Sequence, residues 1–190
     1  MKIYHRVPSN LDGSELVPLN ELKQQSPALY KHHVQKYATR PAALNRKVLP
    51  LNCFWNDVLH FTPIHPEKFM RALNDIGYQV HNLGKWFEFE VTTQAFELSK
   101  MALFWSPNQV FGDWSEKAEH YHSIDLESGQ QFKNIPDQTI NYYKDMFALG
   151  KTPLNFFRTP HILYRGRVSV DKANMIFKNA NQENTNLGRL

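Results

Sequence analysis

Eleven prolines punctuate the 190 residues, and they constrain the fold more than any other feature. Proline cannot donate to a helix or sheet ladder and fixes its own φ near −65°, so each one bounds the element beside it. Pro8 stops an opening strand over residues 2–7. Pro27 follows Ser26, a capping residue ahead of proline at the first helical position. The helix so opened runs through ALYKHHVQKYAT to about Arg40, where Pro41 ends it. Pro50 and Pro63 bracket an apolar, β-branched and aromatic run over 48–61, which predicts a strand with a turn at Asn56-Asp57. Pro66 opens the helix PEKFMRALNDIGY, with Phe69, Met70, Leu73 and Ile76 as its buried stripe and Gly77 as its C-terminal stop.

The second half is less punctuated. Residues 86–91 alternate strictly, with Trp86, Glu88 and Glu90 on one face and Phe87, Phe89 and Val91 on the other. Residues 95–103 are expected to include a short helix, and 137–149 a longer one closed by Gly150. HILYRGRVSV reads as one or two strands kinked at Gly166, and Asp171 as the cap of a short helix, KANMIFKN. Short strands interspersed with helices predict an α+β fold: small antiparallel or mixed sheets forming a cleft, with several flanking helices. Residues 1–178 form one domain in this reading, and 179–190 a polar, asparagine-rich tail.

With 42% hydrophobic and 13% aromatic residues, the chain has enough apolar surface for one core. A net charge of +4 is mild; it suits a polyanionic small ligand as well as nucleic acid. The single cysteine, Cys53, forbids an intramolecular disulfide and fits a reducing compartment, where it reads as a small buried hydrophobe. The N-terminus lacks the apolar stretch of a signal peptide, and no run approaches the ~18 apolar residues of a membrane helix. A soluble, cytoplasmic protein without membrane contact is expected.

No phosphate-binding glycine loop, dinucleotide fingerprint, zinc-protease motif or nucleophile elbow is present. The pairs His32-His33 and His120/His122 lack a third or fourth ligand in register, so no metal site is expected. Glu88 and Glu90 share a strand face and could act as acid and base. Aromatic and basic residues interleave in YKHHVQKYATR, NYYKDMF and FFRTPHILYRGR, a pattern able to stack bases beside phosphates. The segment 51–66, LNCFWNDVLHFTPIHP, places Trp55, Asn56, Asp57 and His60 among Leu51, Phe54, Val58, Leu59 and Phe61. The apolar set is expected in the core. The polar set is expected either to line a cleft or to lock a turn around a core histidine.

The order of these blocks (IYHRV, a helix ending KYATR, VLHFTP, WFEFEV, then HILYRG) resembles the ADP-ribosyltransferase-like superfamily, broadly its DNA-modifying and RNA 2′-phosphotransferase branches. That resemblance implies NAD as co-substrate, held between two small antiparallel sheets. It implies His5 as a ribose-binding residue of the first strand, Arg40 as a cation near the diphosphate, and His60 and Thr62 near the nicotinamide ribose. Arg6 or Arg46 could also hold the diphosphate, and Tyr37 or Trp55 could stack on a base. The late strand that carries the superfamily's catalytic glutamate has His161 and Ile162 in its place. Transfer would then need His5 with Glu88, Glu90 or Asp57, because a carboxylate stabilises the oxocarbenium character that develops on the ribose. The expected function is binding of a nucleotide or dinucleotide, with ADP-ribose passed to a protein or nucleic-acid acceptor. The rival expectation is a non-enzymatic interaction module with a basic aromatic face.

Overall fold

A computed structural model describes residues 1–11, 13–82, 84–92, 95–113, 115, 117–122, 124 and 132–176. The expected tail, 179–190, lies outside the described residues. Among the described residues, eleven short strands and four α-helices are arranged as an α+β fold of small antiparallel sheets. β1 (Lys2–Arg6), β6 (Trp86–Glu90) and β11 (Ala173–Ile176) form a three-stranded sheet in the order β1-β6-β11. β5 (Leu59–Phe61), β7 (Met101–Phe104), β8 (Tyr121–His122) and β9 (His161–Tyr164) form a four-stranded sheet in the order β5-β9-β7-β8. One antiparallel bridge joins them: Tyr4 N–H donates to the Thr62 carbonyl at 2.8 Å, and Thr62 N–H to the Tyr4 carbonyl at 2.9 Å.

Strand alternation sends Leu59, Phe61, Met101, Leu103, Ile162 and Tyr164 to one side of the four-stranded sheet, where they meet Ile3, Phe87 and Phe89 of the three-stranded sheet. Phe61 sits at this junction, 1% exposed, its ring edge-on to those of Phe89 and Phe96 at 5.6 and 5.7 Å. Ala102, Phe104 and Leu163 project to the other side, onto Val48, Leu51 and Val58. The sheet is therefore buried on both faces. That accounts for the all-apolar β7, MALF.

α1 (Leu19–Gln25) and α2 (Pro27–Val34) pack on each other. α2 begins at Pro27 as expected but gives way at Gln35–Tyr37 to a 3-10 turn, with a second at Pro41–Asn45. The 48–61 run is broken further than expected. β3 (Lys47–Val48) leads into a 3-10 turn at Leu49–Leu51, left-handed Asn52 (φ 44°) turns the chain, and β4 (Cys53–Phe54) returns along β3. Phe54, expected in the core, is 44% exposed because its two-residue strand lies outside the larger sheets.

α3 (Pro66–Ile76) ends at Gly77, whose φ of 118° requires glycine; a Cβ there would lie 2.8 Å from the Phe147 ring. α4 (Asp137–Ala148) packs beside α3. Two expected helices are corrected. Residues 98–100 make only a 3-10 turn before β7. The segment after Asp171 is the strand β11, entered through a 3-10 turn capped by Ser169, whose Oγ accepts the Asp171 N–H. In both places a vacant sheet edge offers more backbone hydrogen bonds than an isolated helical turn, so tertiary pairing overrides local propensity. β10 (Val168–Ser169) pairs with β2 (Glu15–Leu16) after the Gly166 kink.

Candidate functional site

His5 of β1 and His60 of β5 flank the single bridge where the two sheets meet. The His5 ring stands edge-on to Phe61 at 5.3 Å. Its Nδ1 is buried and makes no hydrogen bond. Burial lowers its pKa to about 4, opposed by the polar backbone of Arg6 and assisted by the Lys36 charge. His60 is held well below the usual histidine range, first by burial and then by His161, with Lys36 and His5 adding to the effect. Its Nε2 lies 2.8 Å from the Trp55 carbonyl, which can only accept, so Nε2 carries the proton. The 3-10 turns after α2 bring Lys36 towards both imidazoles. Burial and then Arg40 depress the Lys36 ammonium.

From His60 a row of rings and one cation crosses the second face of the four-stranded sheet. Trp55 lies 4.6 Å from the His60 ring. The guanidinium of buried Arg46 lies over Trp55 at 4.6 Å and Phe104 at 4.3 Å. The two rings meet edge-to-face at 5.2 Å, and the cation sits beside both, a favourable arrangement. The Trp55 N–H donates to the Arg46 carbonyl at 2.7 Å and fixes that segment against its partner ring. His161 stands 6.4 Å from His60 and donates from Nε2 to the Phe156 carbonyl at 3.1 Å. Burial takes its pKa to about 4.

Arg46 then forms part of the wall of a cavity of about 360 Å³, with Trp105, Ser106, Gln109, His120 and His122 among the other lining residues. Ser106 Oγ and His120 Nε2 are 3.1 Å apart, while the buried Nδ1 of His120 has no partner. Arg46 and Lys117, with Asp113 and Glu119, give the cavity charges of both signs among amides, a hydroxyl and imidazoles, while most of its accessible wall is apolar.

The structure separates the sequence candidates into those near this row and those tied up elsewhere. His5, His60, Trp55 and Arg40 lie on or beside it; His5, Arg40, Trp55 and His60 do not line the cavity itself. Tyr37 is buried and its ring is shared by Lys36 at 5.2 Å and Arg40 at 5.5 Å. Arg6 points away from His5 by strand alternation, towards the Gly84 turn. Thr62 Oγ1 accepts the Ile64 N–H and shapes the turn after β5. The Asp57 carboxylate accepts from Asn20 Nδ2 and the Phe54 N–H, both at 2.7 Å, which locks the 54–57 turn.

Glu88 pairs with Tyr4 across the sheet, on the face opposite His5 and Phe87. Burial raises its carboxyl, but the Lys2 ammonium at 2.8 Å, with Tyr4 and Asn174, brings it below the usual value. Glu90 is exposed opposite Lys2. The three acids therefore stand apart from His5. Lys36, Phe104 and the Ser106–His120 pair escaped sequence reading; only the aromatic–basic interleaving around Lys36 offered a signal. Among the described residues no three His, Cys, Asp or Glu side chains converge as metal ligands, and no helix is long and apolar enough to cross a membrane.

Comparison with known proteins found no matching family model, no matching curated protein and no matching solved structure.

Proposed function

We propose that this chain binds a dinucleotide of the NAD type along the row that runs from the sheet junction to the Arg46 cavity. One observation carries the reading: buried Arg46, with the Trp55 ring at 4.6 Å and the Phe104 ring at 4.3 Å, is part of a cavity wall a few side chains from His5 and His60. A guanidinium is a planar fork of donors whose geometry matches a phosphate. Neutral imidazoles can donate to or accept from ribose hydroxyls. The His5 Nδ1 without a partner is such a group.

ADP-ribose transfer to a macromolecular acceptor is the activity that would use this site. It needs a group to stabilise positive charge on the ribose. Glu88 and Asp57 are engaged in structural contacts, which favours a second reading: a binding module without turnover.

Titration with NAD separates these readings. A ligand that binds only the native state raises the melting temperature, by about 2.7 kcal/mol of stability at 100 times Kd. Arg46→Lys keeps the charge but loses the fork, and should remove most of that shift; His5→Ala and Arg40→Ala should reduce it. Nicotinamide release then reports turnover. No shift at millimolar NAD would overturn the proposal, while a shift without release would leave the binding module.

A further inference from the structure

Two of the aromatic–basic sequence segments, NYYKDMF and FFRTPHILYRGR, touch the His60–Arg46 row only through His161, and the fold brings their rings together elsewhere. Tyr142 of α4 meets Phe157 with ring centres 4.8 Å apart, and Phe111, from the loop after β7, joins Phe157 at 6.2 Å. The Arg158 guanidinium lies 5.2 Å from the centre of the Phe157 ring. Phe111 is 64% exposed and its neighbour Val110 63%.

The platform is held from beneath. The Tyr142 hydroxyl accepts the Leu154 N–H at 3.0 Å, and Phe157 N–H donates to the Leu154 carbonyl at 3.1 Å. Arg158 has a φ of 63°, a left-handed backbone that costs a non-glycine residue about 1 kcal/mol or more. That conformation is held by two contacts with the loop after β7: Arg158 Nε donates to the Gln109 carbonyl at 3.0 Å, and Trp105 Nε1 donates to the Arg158 carbonyl at 3.2 Å. Asp113 of that loop accepts the Ser115 N–H at 2.9 Å.

We propose that Phe111, Phe157 and Tyr142, with Arg158, form a docking platform for single-stranded nucleic acid. Exposed Phe111 and half-buried Phe157 and Tyr142 offer ring surface to unpaired bases of any identity, and Arg158 beside them meets the phosphate. The chain's net charge of +4 favours a polyanion. A duplex buries its base faces and offers only phosphates, for which one arginine is a weak anchor. The platform therefore selects single strands, with shallow dependence on salt. It stands independently of the NAD reading and is tested without that ligand.

The experiment is fluorescence anisotropy with a labelled 12-nucleotide oligothymidine and a 12-base-pair duplex in 50 mM salt. The single strand should bind more tightly than the duplex. Phe111→Ala should weaken it at least about fivefold with an unchanged melting temperature, since the ring is mostly in solvent. Phe111→Trp should retain binding, and Phe111→Leu, which keeps apolar area but no π-face, should lose it as alanine does. The proposal is overturned if the strand does not bind at 100 µM protein, if the duplex binds equally, or if Phe111→Leu binds like the parent. It is overturned equally if Phe111→Ala instead converts a dimer to a monomer, which would assign the patch to a second copy of the chain.

Discussion

The outer face of the three-stranded sheet and the second face of the four-stranded sheet both carry polar groups among aromatic ones, and they use them differently. On the first, Glu88 is engaged by Lys2, Tyr4 and Asn174. On the second, His60 and His161 each commit one nitrogen to a backbone carbonyl, Arg46 lies against two rings, and at the two ends of the row His5 and His120 each keep a buried nitrogen without a partner. A buried polar atom left open costs about 1–3 kcal/mol. Open groups mark where a ligand can complete the structure, whereas satisfied groups mark where the structure is already complete. Of the candidates read from the sequence, Glu88 and Asp57 fall in the satisfied class and His5 in the open one.

The largest effect tests whether the two sheets stand or fall together. Phe61→Ala empties the junction beneath His5, and should cost about 3–5 kcal/mol in urea denaturation. A loss under about 1 kcal/mol would show that the sheets are not coupled through this ring.

Next is pH. Burial lowers the pKa of His5 and His161 to about 4 and holds His60 well below its ordinary value, each against 6.5 when unfolded. Between pH 6.5 and 4 the unfolded chain binds more protons than the native one, so stability should fall as pH drops through that window. The uptake on unfolding near pH 5 should approach about three protons. The depressed Glu88 carboxyl acts in the same direction but at lower pH, below its usual 4.5. A flat stability profile from pH 7 to 5 would contradict the buried, neutral state of the three imidazoles.

Smaller still, Glu88→Gln should move the melting temperature by no more than about 2 °C, since its Lys2 partner is more than half exposed. It should also leave any NAD-induced shift intact. Loss of that shift would move Glu88 from the satisfied class to the functional one. Phe54→Ser, on an exposed two-residue strand, should stay within about 0.5 kcal/mol of the parent.

Much of the fold was legible where one local signal dominated. Pro27 and Pro66 start their helices, Gly77 and Gly150 close theirs, and the WFEFEV alternation gives β6 and its two faces. The errors came where a partner distant in sequence decided the outcome. β11 is a strand because β6 has an edge to fill, and MALF is a strand because β9 and β8 flank it. The site was legible in part for the same reason. His5, Trp55 and His60 stand out as polar or amphipathic groups within apolar runs. Nothing local says that Arg46 meets both Trp55 and Phe104, the latter 58 positions beyond Arg46, or that Glu88 faces away from His5.

The most direct measurement is calorimetric titration of NAD into the parent chain and into Arg46→Lys, with the melting temperature of each recorded without ligand. The account predicts saturable, one-to-one binding by the parent, and binding at least tenfold weaker in the variant while its unliganded melting temperature stays close to that of the parent. Equal heats from both proteins, or none from either, would contradict it.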